Sequence, residues 1–202
     1  MSNHFLAYMY RLQHIERWSL MRSANPENVA EHSFHVALIA HSLGVIAREI
    51  FGRDVQPEQL ASYALFHDAT EVFTGDIPTP VKHQNPRILA NFREIEAMAS
   101  ERLLANVPER LRGSYAPLFT RQPDDPALAK LLKAADLLDA YLKCTSEMSA
   151  GNREFATARS QIEEKLAQLG LPEVEWFLDH LAPGFERTID ELSETEGGDQ
   201  PS

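Results

Sequence analysis

Cysteine is almost missing from this chain: Cys144 is the only one in 202 residues. No disulfide can form within it, and a reducing compartment is the natural setting. The neighbours of Cys144 read as a helix, so a packed thiol is a better reading than a nucleophile. Glycine is also scarce, at nine positions, and the twelve prolines fall mostly between periodic segments. This distribution argues against a many-stranded sheet and for helices joined by short turns. Basic residues are in deficit, with 19 Lys and Arg against 30 Asp and Glu, a formal net charge of −11. Such a surface repels polyphosphate chains and excludes a nucleic-acid polymer as partner. A small anion stays open, because one arginine or one metal can reverse the sign inside a pocket. Met1 to Tyr10 lacks a basic segment followed by a long apolar run, so no signal peptide is read there. No stretch is read as long enough in apolar residues to span a bilayer. A soluble, cytoplasmic protein with no membrane partner is expected.

What is present is helical periodicity. Apolar residues make up 44% of the chain, enough for a substantial core, and the pattern predicts one compact all-α domain over residues 1–192. The polar, acidic residues 193–202 are expected to be a disordered tail. Phe5, Met9, Leu12 and Ile15 predict a first helix, followed by a loop from Arg22 to Asn28. Val29 to Phe51 carries Val36, Ile39, Ala40, Leu43, Ala47 and Ile50 on one face, with Gly52 in the C-terminal capping place. A third helix is predicted from Pro57 to Phe73, closing at Thr74-Gly75-Asp76. Asp76-Ile77-Pro78-Thr79-Pro80 reads as a stiff loop, since its prolines restrict themselves and their predecessors. Further helices are predicted over Arg87–Asn106, with Ile88, Phe92, Ile95 and Ala99 in phase, and over Pro108–Arg121. Ala127–Ala150 reads as a core helix after the turn Gln122 to Pro126. Phe155–Leu169 and Glu173–Leu192 follow, the last broken near Pro183-Gly184.

Ionisable residues interrupt this pattern where apolar ones belong. His32 heads the stripe that continues through Val36, Ile39 and Leu43. Alone it would read as a buried histidine bonded to a carbonyl. Leu60, Ala64, His67 and Glu71 form one helical row, and Ala61, Leu65, Asp68 and Val72 the row beside it. Both rows turn ionisable at the same level. Asp136 sits among Leu131, Leu132, Ala134, Ala135, Leu137 and Leu138. A buried, unpaired carboxylate costs several kcal/mol, so something positive belongs beside each. One divalent cation answers all of them, because two imidazoles and two carboxylates suit Mn, Fe, Co, Ni or Zn with positions left for water and substrate. The plain alternative is a buried His-Asp ion pair, with Asp136 paired to Arg or Lys. His4, His14, His35, His41, His83 and His180 lack such support. His35 lies about 300° round the helix from His32, near the site without being a ligand.

The order His, His-Asp, Asp resembles the metal-dependent phosphohydrolases of the HD-domain superfamily. Surrounding residues narrow the likeness: Arg17-Trp18-Ser19-Leu20-Met21-Arg22, Glu27-Asn28-Val29-Ala30-Glu31-His32-Ser33, His67-Asp68-Ala69-Thr70-Glu71, Thr74-Gly75-Asp76-Ile77-Pro78-Thr79-Pro80-Val81-Lys82, Ala134-Ala135-Asp136 and Ala140 to Cys144. Together they resemble the bacterial 5′-deoxynucleotidase family (YfbR-like), over nearly the whole chain to about Leu192. The resemblance implies hydrolysis of deoxyribonucleoside 5′-monophosphates by a homodimer, with one divalent metal per chain: cobalt, manganese or another transition ion such as zinc, iron or nickel. It implies His32, His67, Asp68 and Asp136 as ligands, with His32, Asp68 and Asp136 also facing the substrate. It implies Arg17 as the phosphate-orienting residue and Trp18 as packing on the sugar. Asp76, Ile77, Pro78 and Thr79 are implied as the loop holding the nucleoside, with the Asp76 carboxylate near the 3′-hydroxyl.

Glu71, one helical turn beyond His67, is a candidate to move a proton to or from the attacking water or the leaving sugar oxygen. Its alternative role is to orient a histidine. Two rival functions stay open. One is an HD-domain hydrolase of a triphosphate, a cyclic nucleotide or an alarmone, for which only Arg22, Lys82 and Lys133 join Arg17 as cations near the motifs. The other is a non-catalytic helical binding module stabilised by metal.

Overall fold

The computed structural model describes residues 3–82, 84–119, 123 and 125–193, with the side chains of residues 79 and 80 excepted. The expected acidic tail, beyond Ser193, and His83 lie outside these residues, as do Gln122 and Asp124 of the expected turn. Among the described residues eleven α-helices run in chain order: α1 (Phe5–Met9), α2 (Val29–Glu49), α3 (Pro57–Phe66), α4 (Glu71–Thr74), α5 (Thr79–Lys82), α6 (Pro86–Ala105), α7 (Arg112–Phe119), α8 (Pro126–Ser149), α9 (Ala156–Leu169), α10 (Pro172–His180) and α11 (Ile189–Ser193). Short 3-10 turns cover Tyr10–His14, Glu109–Leu111, Arg153–Phe155 and Ala182–Glu186. No strand occurs among the described residues, and one antiparallel bridge joins Glu16 to Asn28. The all-α expectation holds, with the last predicted helix interrupted around Pro183-Gly184.

Helix α2 is the axis. Asn28 caps it with a side chain that accepts from the amides of Ala30 and Glu31, and Glu31 returns a bond to the Asn28 amide, satisfying donors that a helix start leaves orphaned. Its buried face of Val36, Ile39, Ala40, Leu43 and Ala47 packs with Leu60 and Ala64 of α3, Leu131, Ala135 and Leu138 of α8, and Phe177 of α10. Each such aliphatic side chain contributes about 1.5–3 kcal/mol by leaving water. At 21 residues α2 is, by length and composition, able to cross a membrane, which corrects the reading that no stretch approaches that length. Half of it is buried within the bundle. Gly44 lets α3 come close, since a Cβ there would stand 2.8 Å from the Pro57 Cα. That approach brings the end of α3 toward the start of α2.

The predicted third helix is not continuous. It ends at Phe66, and residues 67–70 form turns before α4. The His67 Nδ1–H donates to the Ala64 carbonyl at 2.7 Å, and the amides of Ala69 and Glu71 reach back three residues, to Phe66 and Asp68. Such bonds tighten the chain beyond helical pitch. Ala69 is drawn into a second, smaller core with Phe5, Leu103, Val107 and Phe119. On the second row Leu65 is 45% exposed. Asp68 therefore reaches the interior because the helix has stopped. Two further departures are local. Thr79-Pro80 opens α5 instead of ending a loop, as a proline in a first turn forfeits only an orphan amide. In α6 Glu96 is buried while Ile95 is exposed.

The loop before α2 is tied down by Glu147 near the end of α8. Its carboxylate accepts from Lys143 Nζ at 2.6 Å, from the amides of Ala24 at 2.7 Å and Asn25 at 3.1 Å, and from Asn152 Nδ2 at 2.8 Å. Burial alone would raise this carboxyl; the lysine and these donors overcome that and hold it at about 2, against an ordinary 4.5. A depressed value means stability present above the ordinary value and lost as pH falls through the folded one. Glu147→Ala is expected to cost about 3 kcal/mol at neutral pH, as for a buried pair broken from one side. The gap from the unaltered protein should narrow between pH 4.5 and about 2. Urea denaturation of both proteins at pH 7 and pH 3 checks size and sign; an equal gap at both would count against this anchor.

Candidate active site

Four expected residues meet where α2, the 67–70 turn and α8 converge. His32 Nε2 lies 3.2 Å from His67 Nε2, 3.4 Å from Asp68 Oδ2 and 3.5 Å from Asp136 Oδ1. His67 Nε2 lies 3.2 Å from the same Asp68 oxygen. Ligand atoms of His32, His67 and Asp68 all stand within 4.8 Å of one another. His32 is fully buried, while Asp136 keeps 27% of its side chain exposed and also pairs with Lys133 at 2.7 Å.

Ring tautomers follow from the outer partners. A carbonyl oxygen can only accept, so His67 carries its proton on Nδ1 and turns the Nε2 lone pair inward. His32 Nδ1 lies 2.6 Å from Asp139 Oδ2 and donates to it, which turns Nε2 toward the centre. Burial and Arg17 act to lower His32, yet Asp136, Asp139 and Asp68 leave it well above the ordinary imidazole range. Burial raises the Asp68 carboxyl, but His67 and His32 bring it well below the ordinary carboxylate range. Asp136 is likewise lowered despite its burial, by Lys133 and the histidines. These neighbours hold the carboxylates of the centre ionised.

Arg17 points at this centre, with 12% of its side chain exposed. Its Nη1 lies 2.8 Å from Glu27 Oε2 and 3.6 Å from Asp139 Oδ2. The backbone is arranged by the lone bridge, since the Arg17 amide donates to the Glu27 carbonyl at 2.9 Å and the Val29 amide to Ile15 at 3.0 Å. Trp18 follows with φ of 57°, a left-handed conformation uncommon for a bulky residue and characteristic of functional sites. Its indole packs on Phe155.

Glu71 is buried, its Oε1 3.8 Å from Lys82 Nζ, and its Oε2 has no hydrogen-bond partner among the described residues. Burial, then the charges of Asp68 and Asp76, push its carboxyl up to about 9. Asp76 is half-buried and raised by its burial, opposed by Arg17 and Lys82. Ile77 and Pro78 are half-buried beside it. Thr79 begins α5, but its side chain lies outside the described residues.

Two residues of the site were not singled out from sequence. Asp139 lies one helical turn past Asp136 on the same apolar helix, a spacing that was readable. Glu27 stood inside a quoted motif with no role assigned to it. Both are buried. His35, exposed, has its Nδ1 3.6 Å from Asp139 Oδ1, beside the centre and outside the ligand cluster. His4, His14, His41 and His180 are exposed.

This bundle and its His, His-Asp, Asp centre define an HD-domain phosphohydrolase. An HD-domain phosphohydrolase from Listeria innocua has the same fold, with TM-score 0.79 and 27% identity over 92% of this chain and 90% of that one. A cyanophage S-2L HD phosphohydrolase, bound to dA and one catalytic Zn2+ ion, shares the fold at TM-score 0.63 and 20% identity, covering 88% of this chain and 96% of that one. The 5′-deoxynucleotidase YfbR-like family matches residues 4–185, and the chain belongs to it. The 5′-deoxynucleotidase of Vibrio parahaemolyticus is 44% identical over 191 residues, covering 95% of this chain and 98% of that protein. That of Cronobacter sakazakii is 46% identical, covering 95% and 96%.

A carboxylate on the far nitrogen of a ligating histidine fixes its ring and raises its basicity. Asp139→Asn is therefore expected to weaken divalent-metal binding roughly 10- to 100-fold while leaving the fold intact. Calorimetric titration of the metal-free protein with Mn2+ or Co2+ measures it; unaltered affinity would remove Asp139 from the site.

Proposed function

We propose that this chain is a 5′-deoxynucleotidase that hydrolyses deoxyribonucleoside 5′-monophosphates to deoxyribonucleoside and phosphate, using one divalent transition metal. The observation that carries it is the convergence of two imidazoles and two carboxylates beside a half-buried guanidinium. Nε2 atoms 3.2 Å apart, with carboxylates beyond, need a proton or a cation to join them. The mixed nitrogen and oxygen donors fit a transition ion, and His32, His67, Asp68 and Asp136 would hold it. When bound, the ion supplies Lewis acidity toward the phosphate, acidifies its water and draws neighbouring carboxyl pKa values down.

The chain's own residues supply the rest. Arg17 offers forked donors to phosphate oxygens, a geometry that lysine lacks. Glu27 and Asp139 hold that fork from behind. Glu71, buried beside the centre, is suited to move a proton to the departing 5′ oxygen or from the attacking water. Trp18 walls the sugar near its 2′ carbon, and the loop Asp76, Ile77, Pro78 and Thr79 receives the nucleoside, the Asp76 carboxylate near the 3′-hydroxyl.

Charge favours a monophosphate over longer chains. Lys82 stands between Glu71 and Glu96 at 3.8 Å from each, Lys133 is paired with Asp136, and Arg22 reaches Glu154 at 3.1 Å. Each of those cations already faces an acid. The single Cys144, buried and free, suits a reducing cytoplasm, and a homodimer is the assembly we propose from family membership.

The decisive assay is phosphate release from deoxy- and ribonucleoside monophosphates, and from a triphosphate, after chelation and re-addition of single metals. Release only from deoxynucleoside monophosphates, restored by Co2+ or Mn2+, is expected; pyrophosphate release, or metal binding without turnover, would overturn the reading. For Glu71→Ala, kcat should fall by about 10²- to 10⁴-fold, the range of one acid–base group, with metal and substrate still bound. Unchanged turnover would end the catalytic assignment of Glu71.

A further inference from the structure

Two residues that the proposed function sends to different parts of the substrate are held by one atom. Glu27 Oε2 accepts from Arg17 Nη1 at 2.8 Å and from Trp18 Nε1 at 3.1 Å. The Glu27 carbonyl accepts the Arg17 amide as well, so the contact is braced through main chain and side chain together. Behind Glu27 lies a cavity of about 260 Å3, lined also by His35, Leu38, Ile39 and Phe185. Close packing therefore does not fix the carboxylate on that side. Its two hydrogen bonds do.

Trp18 needs such a brace. Its backbone is left-handed, and Phe155 meets its ring at 5.4 Å between centroids, tilted by 59°. A ring contact of this kind supplies packing but no directional hold on the indole. The bond from Nε1 to Glu27 supplies the direction.

We propose that Glu27 is a positioning residue for sugar discrimination. By tying the Trp18 indole to the Arg17 guanidinium, it keeps a fixed separation between the wall at the sugar and the anchor at the phosphate. Within a nucleotide, the phosphorus and the 2′ carbon are joined by a short run of bonds. Once the phosphate is seated on Arg17, a wall at fixed distance meets the 2′ substituent. A wall free to swing accommodates the hydroxyl, so steric exclusion is only as sharp as the wall is rigid. The proposal rests on the reading of Trp18 as the sugar wall and extends it.

The test measures kcat/KM for dAMP and AMP with the metal-loaded enzyme and its Trp18→Ala, Glu27→Ala, Glu27→Gln and Glu27→Asp variants, alongside metal content and thermal unfolding. Trp18→Ala should lower the deoxy-to-ribo ratio by roughly 10-fold. Glu27→Ala should lower it comparably with metal content unchanged, and the double variant should lower it no further. Glu27→Gln keeps an acceptor for the indole but loses the charge opposite Arg17. It should hold the ratio while reducing kcat/KM on both substrates. Should Glu27→Ala not fold, Glu27→Asp, whose oxygen is drawn back by one carbon–carbon bond, must lower the ratio. An intact ratio in a folded Glu27→Ala or Glu27→Asp enzyme, when Trp18→Ala has lowered it, overturns the role of Glu27. An intact ratio in Trp18→Ala overturns the sugar wall itself.

Discussion

The gathering of ionisable groups at the convergence of α2, the 67–70 turn and α8 is what the rest of the molecule is built to hold. Imidazoles and ionised carboxylates do not gather in a protein interior by packing alone. Here each is held by a rigid neighbour. His32 rides on a capped helix within the main core. His67 is tethered to the last turn of α3. Asp136 stands on α8, whose apolar face is buried on both sides of it. The two cores, one under α2, α3 and α8 and the other around Leu103 and Phe119, stabilise the bundle enough to hold the unfavourable arrangement. That is the usual relation between a strained site and its scaffold.

Much of this was legible in the sequence because helical periodicity is local. The face of α2 from Val36 to Ala47 repeats at helical spacing, and an ionisable residue at its head points inward by the same geometry. That is why His32 was readable. Asp136, surrounded by leucine and alanine on α8, was readable for the same reason. The 67–70 turn was not. Its helix stops because the His67 ring takes the Ala64 carbonyl and Ala69 packs into a core formed with distant residues. Neither cause leaves a glycine or proline in the sequence. Extending the helix kept His67 correctly inward but placed Asp68 on a row that Leu65 carries out to solvent.

Glu27 and Asp139 were missed for a different physical reason. Their partners, Arg17 and His32, lie on other segments, and a carboxylate reveals its role only through what it touches. Asp139 offered a periodicity signal, a second acid on the buried stripe of α8. Glu27 sits in a loop with no period, and its burial depends on the bridge between residues 16 and 28. Groups that contact a ligand tend to interrupt a pattern; groups that hold them often do not.

The acidity of the chain also takes on a local meaning. Arg17 is hemmed by Glu27 and Asp139, with the charges of Asp68 and Asp136 close enough to raise its pKa against the effect of burial. One guanidinium among these carboxylates does not make a pocket attractive to a phosphate dianion. In a low-dielectric site, the field of these acids opposes the approach of the dianion to the fork. A divalent ion reverses that field, and it does so at the point where the carboxylates are densest. Metal binding then acts as a condition for recognising the anion as well as for the chemistry. The same carboxylates that oppose an anion without the ion would hold the ion that admits one, while the surface beyond remains acidic.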